Sequence, residues 1–143
     1  MCIRDRCDKI TIALLDQIIR SYKKHGFSNL NLSLSLLTRT RENLKKIANG
    51  IIKEIPEKKL KMLGASIEDS LVEAGSGSLP QKNIKSIALK FNSSSFSANK
   101  LSTLFREGNI PVIGYINKNS FFIDLKAVLP SQISYLIKTI KNI

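Results

Sequence analysis

Apolar residues recur at helical spacing near both ends of the chain and alternate with polar ones through much of its second half. From Ile10, the positions Ile10, Ala13, Leu14, Ile18 and Ile19 share one helical face, with Thr11, Asp16, Gln17 and Arg20 opposite. This pattern begins near Asp8, and Gly26, after Lys23-Lys24-His25, supplies a stop, so the spacing predicts a helix of about four turns. Ser28 to Leu37 alternates small polar residues with leucine, which by period alone is a strand. Thr40 can cap a longer helix whose apolar side is Leu44, Ile47, Ala48, Ile51, Ile52 and Ile55, and which Pro56 ends.

Pro56 to Lys61 reads as a basic linker, after which the elements shorten. Met62 to Glu73 and Ile84 to Phe91 are predicted strands joined by a Gly-Ser loop; the second alternates Ile84, Ser86, Ala88 and Lys90 with Lys85, Ile87, Leu89 and Phe91. Ser93 to Phe96 is a polar turn. Ser97 caps a helix carrying Leu101, Leu104 and Phe105, with Gly108 closing it. Val112 to Ile116 and Phe121 to Leu125 read as hairpin strands around Asn117-Lys118-Asn119-Ser120. A final helix follows Leu129-Pro130-Ser131 and buries Ile133, Leu136, Ile137 and Ile140, with Lys138 and Lys141 toward its negative end. The fold class expected is α+β: a small, mostly antiparallel sheet with helices on one side, preceded by a two-helix segment.

At 143 residues and 43% hydrophobic content the chain has enough apolar surface for one domain core, and its 24% charged content argues against disorder. The net charge of +12 and pI near 9.9 would attract polyanions such as a nucleic-acid backbone. The lysines, however, are spread over different elements, which is the distribution of a solvated surface. No apolar run approaches the roughly 20 residues of a membrane helix, and the expectation is a soluble, cytoplasmic protein without membrane contact. Cys2 and Cys7 have no partners at metal spacing, so neither a metal site nor a disulfide framework is expected.

His25, beside Gly26 at a helix end, fits a charge partner better than a catalytic base. Glu68 and Asp69 are adjacent and on a strand would point to opposite faces. No nucleophile motif, Walker loop or paired carboxylate is present, so the chain by itself holds no complete active site.

Three segments carry a resemblance: Glu73-Ala74-Gly75-Ser76-Gly77-Ser78-Leu79-Pro80, Phe105-Arg106-Glu107-Gly108-Asn109-Ile110-Pro111-Val112-Ile113-Gly114, and Ile123-Asp124-Leu125-Lys126-Ala127-Val128-Leu129-Pro130. In this order they resemble the C-terminal part of the bacterial L-seryl-tRNA(Sec) selenium transferase family, and the likeness runs from Asp8 to Ile143. The resemblance implies the small domain of an aminotransferase-like, fold-type-I pyridoxal-phosphate enzyme. Residues 8–61 would link to a large domain and 62–143 would form the small domain. In place of the 28–37 strand it implies a loop and a short helix. Residues 1–7 lack any amphipathic period, look like translated adapter sequence, and are read as a non-native leader on a truncated product.

The implied reaction converts seryl-tRNA(Sec) to selenocysteinyl-tRNA(Sec), with pyridoxal 5'-phosphate as electron sink and selenophosphate as selenium donor, in a homodecameric ring. The implied Schiff-base lysine lies upstream. Asp8-Lys9 matches instead the family's later Asp-Lys-Leu-Thr-Leu-Ala-Ala-Leu segment, so Lys9 is not that lysine. The family places two arginines before this segment to contact an anionic group; Arg6 falls on the second, while Ile3 occupies the place of the first.

Gly75, Ser76, Gly77 and Ser78 resemble the family's Gly-Gly-Gly-Ser-Leu-Pro loop, whose exposed amides would suit an anion near the substrate; a plain strand-to-strand turn accounts for them equally. Tyr115 stands where the family has an arginine able to bind a carboxylate bidentately. Two alternatives remain open: a fragment of a related pyridoxal-phosphate lyase acting on a small amino acid, and a basic tRNA-binding module. The chain alone is expected to be inactive and to bind little cofactor.

Overall fold

A computed structural model of the chain describes residues 8–23, 31–73 and 84–143. The chain divides into two compact units, residues 1–38 and 39–143. In the first, Asp8 caps helix α1 (Lys9–Tyr22), its carboxylate accepting from the Thr11 amide at 2.8 Å and the Thr11 hydroxyl at 3.0 Å. None of the residues of α1 is buried. The proposed stop at Gly26 lies outside the described residues.

The leucine-serine alternation is not a strand: Leu32–Leu37 is a short helix, α2. Asn31 accepts from the Leu34 amide at 2.9 Å, and the Ser35 and Thr38 hydroxyls donate to Leu32 and Leu34 carbonyls. Local side-chain to backbone bonds of this kind decide a segment that no neighbouring strand pairs with. The helix implied by the family resemblance is the one present.

In the second unit, Thr40 caps α3 (Arg41–Glu54), which buries Leu44, Ala48 and Ile51. The segment after Pro56 is not a linker but a helix, α4 (Glu57–Leu63), with a Glu57–Lys61 ion pair one turn apart at 2.7 Å. Proline is tolerated at a helix start because its missing N–H would have no partner there. Gly64 ends α4 at φ 57, and a Cβ there would sit 2.1 Å from the Asn92 carbonyl oxygen. The first strand therefore begins at Ala65, not Met62.

Strands β1 (Ala65–Val72) and β2 (Ile84–Phe91) pair antiparallel along their full length, from Ala65 with Phe91 to Val72 with Ile84. Helix α5 (Ala98–Glu107) follows, capped by Ser97. Next come β3 (Tyr115–Asn117) and β4 (Ser120–Asp124). The strand expected from Val112 is shorter: the Val112 amide donates to the Phe105 carbonyl at 2.8 Å instead of to a ladder. At Gly114 a Cβ would lie 2.2 Å from the Phe122 carbonyl oxygen. Lys118 (φ 44) and Asn119 (φ 58) make a two-residue turn of the kind whose twist suits a hairpin.

A short 3-10 turn (Pro130–Gln132) leads into α6 (Ile133–Asn142), which buries Leu136, Thr139 and Ile140. The sheet is antiparallel throughout, in the order β1-β2-β4-β3. One face carries Ile87, Leu89 and Phe91 of β2 with Phe121 and Ile123 of β4, packed against Leu44 and Ile51 of α3, Leu101 and Phe105 of α5, and Leu136 and Ile140 of α6. Phe105 stacks on Phe121 (centroids 5.0 Å) and tilts against Phe91 (5.2 Å). The expected α+β class is thus the observed one, with a single layer of helices on one side of the sheet.

Candidate functional site

The side chains one residue out of phase with that core point the other way, over an open depression of about 960 Å³. Its floor is polar. In β1 and β2, Ser70 is the register partner of Ser86, and Ala88 that of Asp124 in β4. The Asp124 carboxylate accepts from the Ser86 hydroxyl at 2.7 Å, from the Ser70 hydroxyl, and from the Lys126 amide at 2.9 Å. One carboxylate so ties together three strands' worth of backbone, two residues in from the point where β1 ends and β2 begins.

Beside it, Lys90 donates to Glu68 at 2.7 Å and lies 5.9 Å from the Phe122 ring centroid. Phe122 stacks against Tyr115, with centroids 5.3 Å and planes 10° apart. Burial, and then the nearby Asp124 charge, raise the Tyr115 hydroxyl above its ordinary pKa, so it stays protonated at neutral pH.

At the margin, Lys126 is 5% exposed, and its ammonium donates to the Arg39 carbonyl at 2.8 Å and the Lys85 carbonyl at 3.1 Å. Burial pulls its pKa down, opposed by the Asp124 charge and assisted by Arg39. Arg39 in turn donates to the Val128 carbonyl at 2.6 Å. Arg41 grips Asp69 through two guanidinium nitrogens, and that hydrogen bond, with burial opposing it, holds the Asp69 carboxyl below its ordinary pKa. The stretch from Arg39 to Arg41 is thereby stitched to β1, to the start of β2 and to the connection after β4.

Of the residues singled out in the sequence, Arg6, His25, Gly75, Ser76, Gly77 and Ser78 lie outside the described residues. Val72 and Ile84, which flank 73–83, are direct register partners. Lys9 is exposed at the start of α1. Glu68 and Asp69 do point to opposite faces, one to Lys90 and the other to Arg41. Tyr115 sits on the polar face with Phe122.

The Ser70–Asp124–Ser86 cluster and the Lys126 clip were missed by the sequence reading. The even-numbered phase of β2 hinted at a polar face, but only strand register brings Ser70 and Asp124 together.

As a cofactor site, this face does not suffice. Lys90 is engaged by Glu68, Lys126 by two carbonyls, and Asp124 by three donors, so no lysine and no free carboxylate of this set is available to hold a pyridine ring or form a Schiff base. Among the described residues no group of three His, Cys, Asp or Glu side chains could hold a metal ion, and no helix is long and apolar enough to cross a membrane.

The model of the L-seryl-tRNA selenium transferase family matches residues 3–129. The chain is 32% identical over 130 residues to the L-seryl-tRNA(Sec) selenium transferase of Carboxydothermus hydrogenoformans, which covers 91% of this chain and 28% of that protein. It is 32% identical over 137 residues to that of Campylobacter concisus (96% of this chain, 28% of that protein). To that of Alkaliphilus oremlandii it is 27% identical over 139 residues (96% and 30%). The chain thus spans less than a third of the length of the curated relatives it matches. With the family match running over most of the chain, and an α+β fold of the expected class, this chain belongs to the L-seryl-tRNA selenium transferase family.

Proposed function

We propose that the chain is the small-domain half of a pyridoxal-phosphate-dependent enzyme that converts seryl-tRNA(Sec) to selenocysteinyl-tRNA(Sec), the serine hydroxyl being lost and selenium from selenophosphate taking its place. The observation that carries this reading is the family match across residues 3–129, which includes both Arg6 and the segment Gly75 to Ser78. The cofactor, when bound, supplies the electron sink. Its Schiff-base lysine belongs, in this reading, to the part of the relatives' length that this chain does not span. Residues 62–143 form the small domain and 8–61 its connection to a large domain, with assembly into a cytoplasmic homo-oligomer.

The roles of this chain's own residues follow from charge and placement. The backbone amides and hydroxyls of Gly75, Ser76, Gly77 and Ser78 hold an anionic group of the substrate, and Arg6 meets a second. Asp124 braces Ser70 and Ser86, so the strand ends that carry the Gly-Ser segment are fixed in register. The Arg39–Lys126–Lys85 clip fixes the same end of the sheet against the start of α3.

A chimera tests this: residues 8–143 replace the matching segment of the Carboxydothermus hydrogenoformans relative, and selenium transfer to seryl-tRNA(Sec) is measured. Transfer is expected, with a loss of at least about tenfold when Gly75 and Gly77 are both replaced by valine. A folded, cofactor-loaded chimera that transfers no selenium would overturn the reading.

A further inference from the structure

The order β1-β2-β4-β3 makes β3 an edge of the sheet. On the polar face one row runs from Lys90 through Phe122 to Tyr115, each the register partner of the next. Phe122 is covered on both sides and is 9% exposed, whereas Tyr115, last in the row, is 41% exposed. Its ring lies nearly parallel to that of Phe122, and among the described residues no strand lies beyond β3, so the outer ring face of Tyr115 ends the stack. Asn117 and Lys118 line the same depression, bringing a side-chain amide and an ammonium group to its edge.

We propose that Tyr115 is a stacking platform for an unpaired nucleobase of a bound RNA strand. The base continues the Phe122–Tyr115 stack, Asn117 pairs with a base edge, and Lys118 meets a phosphate. A flat aromatic face on a sheet, beside a cation, is the arrangement by which proteins hold single-stranded RNA whatever the base, since every base has a π face. The chain's net charge of +12 favours an anionic strand over a neutral ligand. Of the two acids in the row beside the stack, Glu68 is paired with Lys90, and Asp124 accepts from the Ser70 and Ser86 hydroxyls and the Lys126 amide. The inference rests on the reading of the chain as part of a tRNA-modifying enzyme and assigns to that substrate a contact on the polar face.

The test titrates the 143-residue chain with single-stranded tetraadenylate and with an abasic strand of the same backbone, by calorimetry at fixed salt. Tyr115→Ala is expected to weaken tetraadenylate binding about tenfold, Tyr115→Phe to leave it unchanged, and the abasic strand to bind the unaltered chain as weakly as tetraadenylate binds the variant. Tyr115→Leu, which keeps an apolar residue on the strand, guards against misfolding and should lose as much as Tyr115→Ala, with an unchanged circular dichroism melt. Equal binding of the two strands by the unaltered chain, or unimpaired binding by Tyr115→Leu, would overturn the proposal. An inactive chimera alongside base-dependent binding sinks only the catalytic reading; an active chimera without base dependence sinks only this one.

Discussion

The two faces of one sheet are built from alternate residues of the same strands and are buried by different means. On the helix side Ile87, Leu89 and Phe91 lose their exposure to leucines, isoleucines and phenylalanines of α3, α5 and α6. On the other side Ser86 is 1% and Ala88 0% exposed, under Asp124, Glu68, Lys90 and Phe122 rather than under a helix core. Burial there depends on hydrogen bonds and ion pairs being satisfied, not on apolar area. The comparison separates a face that holds the fold together from a face that presents polar groups to an open depression while staying ordered.

The largest effect should come from the apolar face. Phe105→Ala removes a fully buried ring that touches both Phe91 and Phe121, and should cost ~3–5 kcal/mol in urea unfolding of the chain. A loss below about 1 kcal/mol would show that the helix layer is not the main source of stability. On the polar face, Asp124→Ala leaves the Ser70 and Ser86 hydroxyls and the Lys126 amide without their acceptor and should cost ~1–3 kcal/mol in the same measurement. It should also raise amide hydrogen exchange at the Ser70 and Ser86 end of β1 and β2 more than at the Ala65 and Phe91 end. Uniform exchange would mean that the carboxylate does not brace that end.

A smaller effect tests the edge. The folded Asp69 carboxyl titrates below its ordinary 3.8 because Arg41 holds it, so the pair's contribution is present above that value and is lost as pH falls through the depressed folded value. Asp69→Asn should therefore lie slightly below the unaltered chain in stability at neutral pH, by the little that an exposed pair contributes, and the difference should close as pH falls below about 4. A difference that stays constant down the acid limb would break the assignment. Smallest of all, Tyr115→Phe keeps the ring stack and removes only the hydroxyl, so the thermal midpoint should not move measurably. A clear drop would place a needed hydrogen bond on the polar face.

Much of this fold is legible from periodicity. Thr40 and Ser97 start α3 and α5 because their hydroxyls can accept from the amides of Asn43 and Lys100, and the apolar spacing that follows fixes which side is buried. Ile84–Phe91 alternates so regularly that its bounds and its two faces can be read directly. Two segments misled for opposite reasons. Leucine-serine alternation imitates a strand, yet the same residues turn helical where their hydroxyls bond the preceding carbonyls. Pro56 announces an end, and the helix that restarts at Glu57 shows only as a short charged pattern whose stop, Gly64, is recognisable once the crowding by Asn92 is seen.

Family membership, the class of the fold and most of the helical and strand segments were determined by the linear order of residues, because caps, periodicity and motif spacing are local properties. The partnership of Ser70, Ser86 and Asp124, the clip from Lys126 to Arg39 and Lys85, and the open end of the Tyr115 stack were decided only in three dimensions. The cluster and the clip join residues dozens of positions apart, and a strand displaced by one residue would turn the side chains of the cluster and of the stack to the opposite face. Such contacts exist only when register and strand order are set together, which no local pattern specifies.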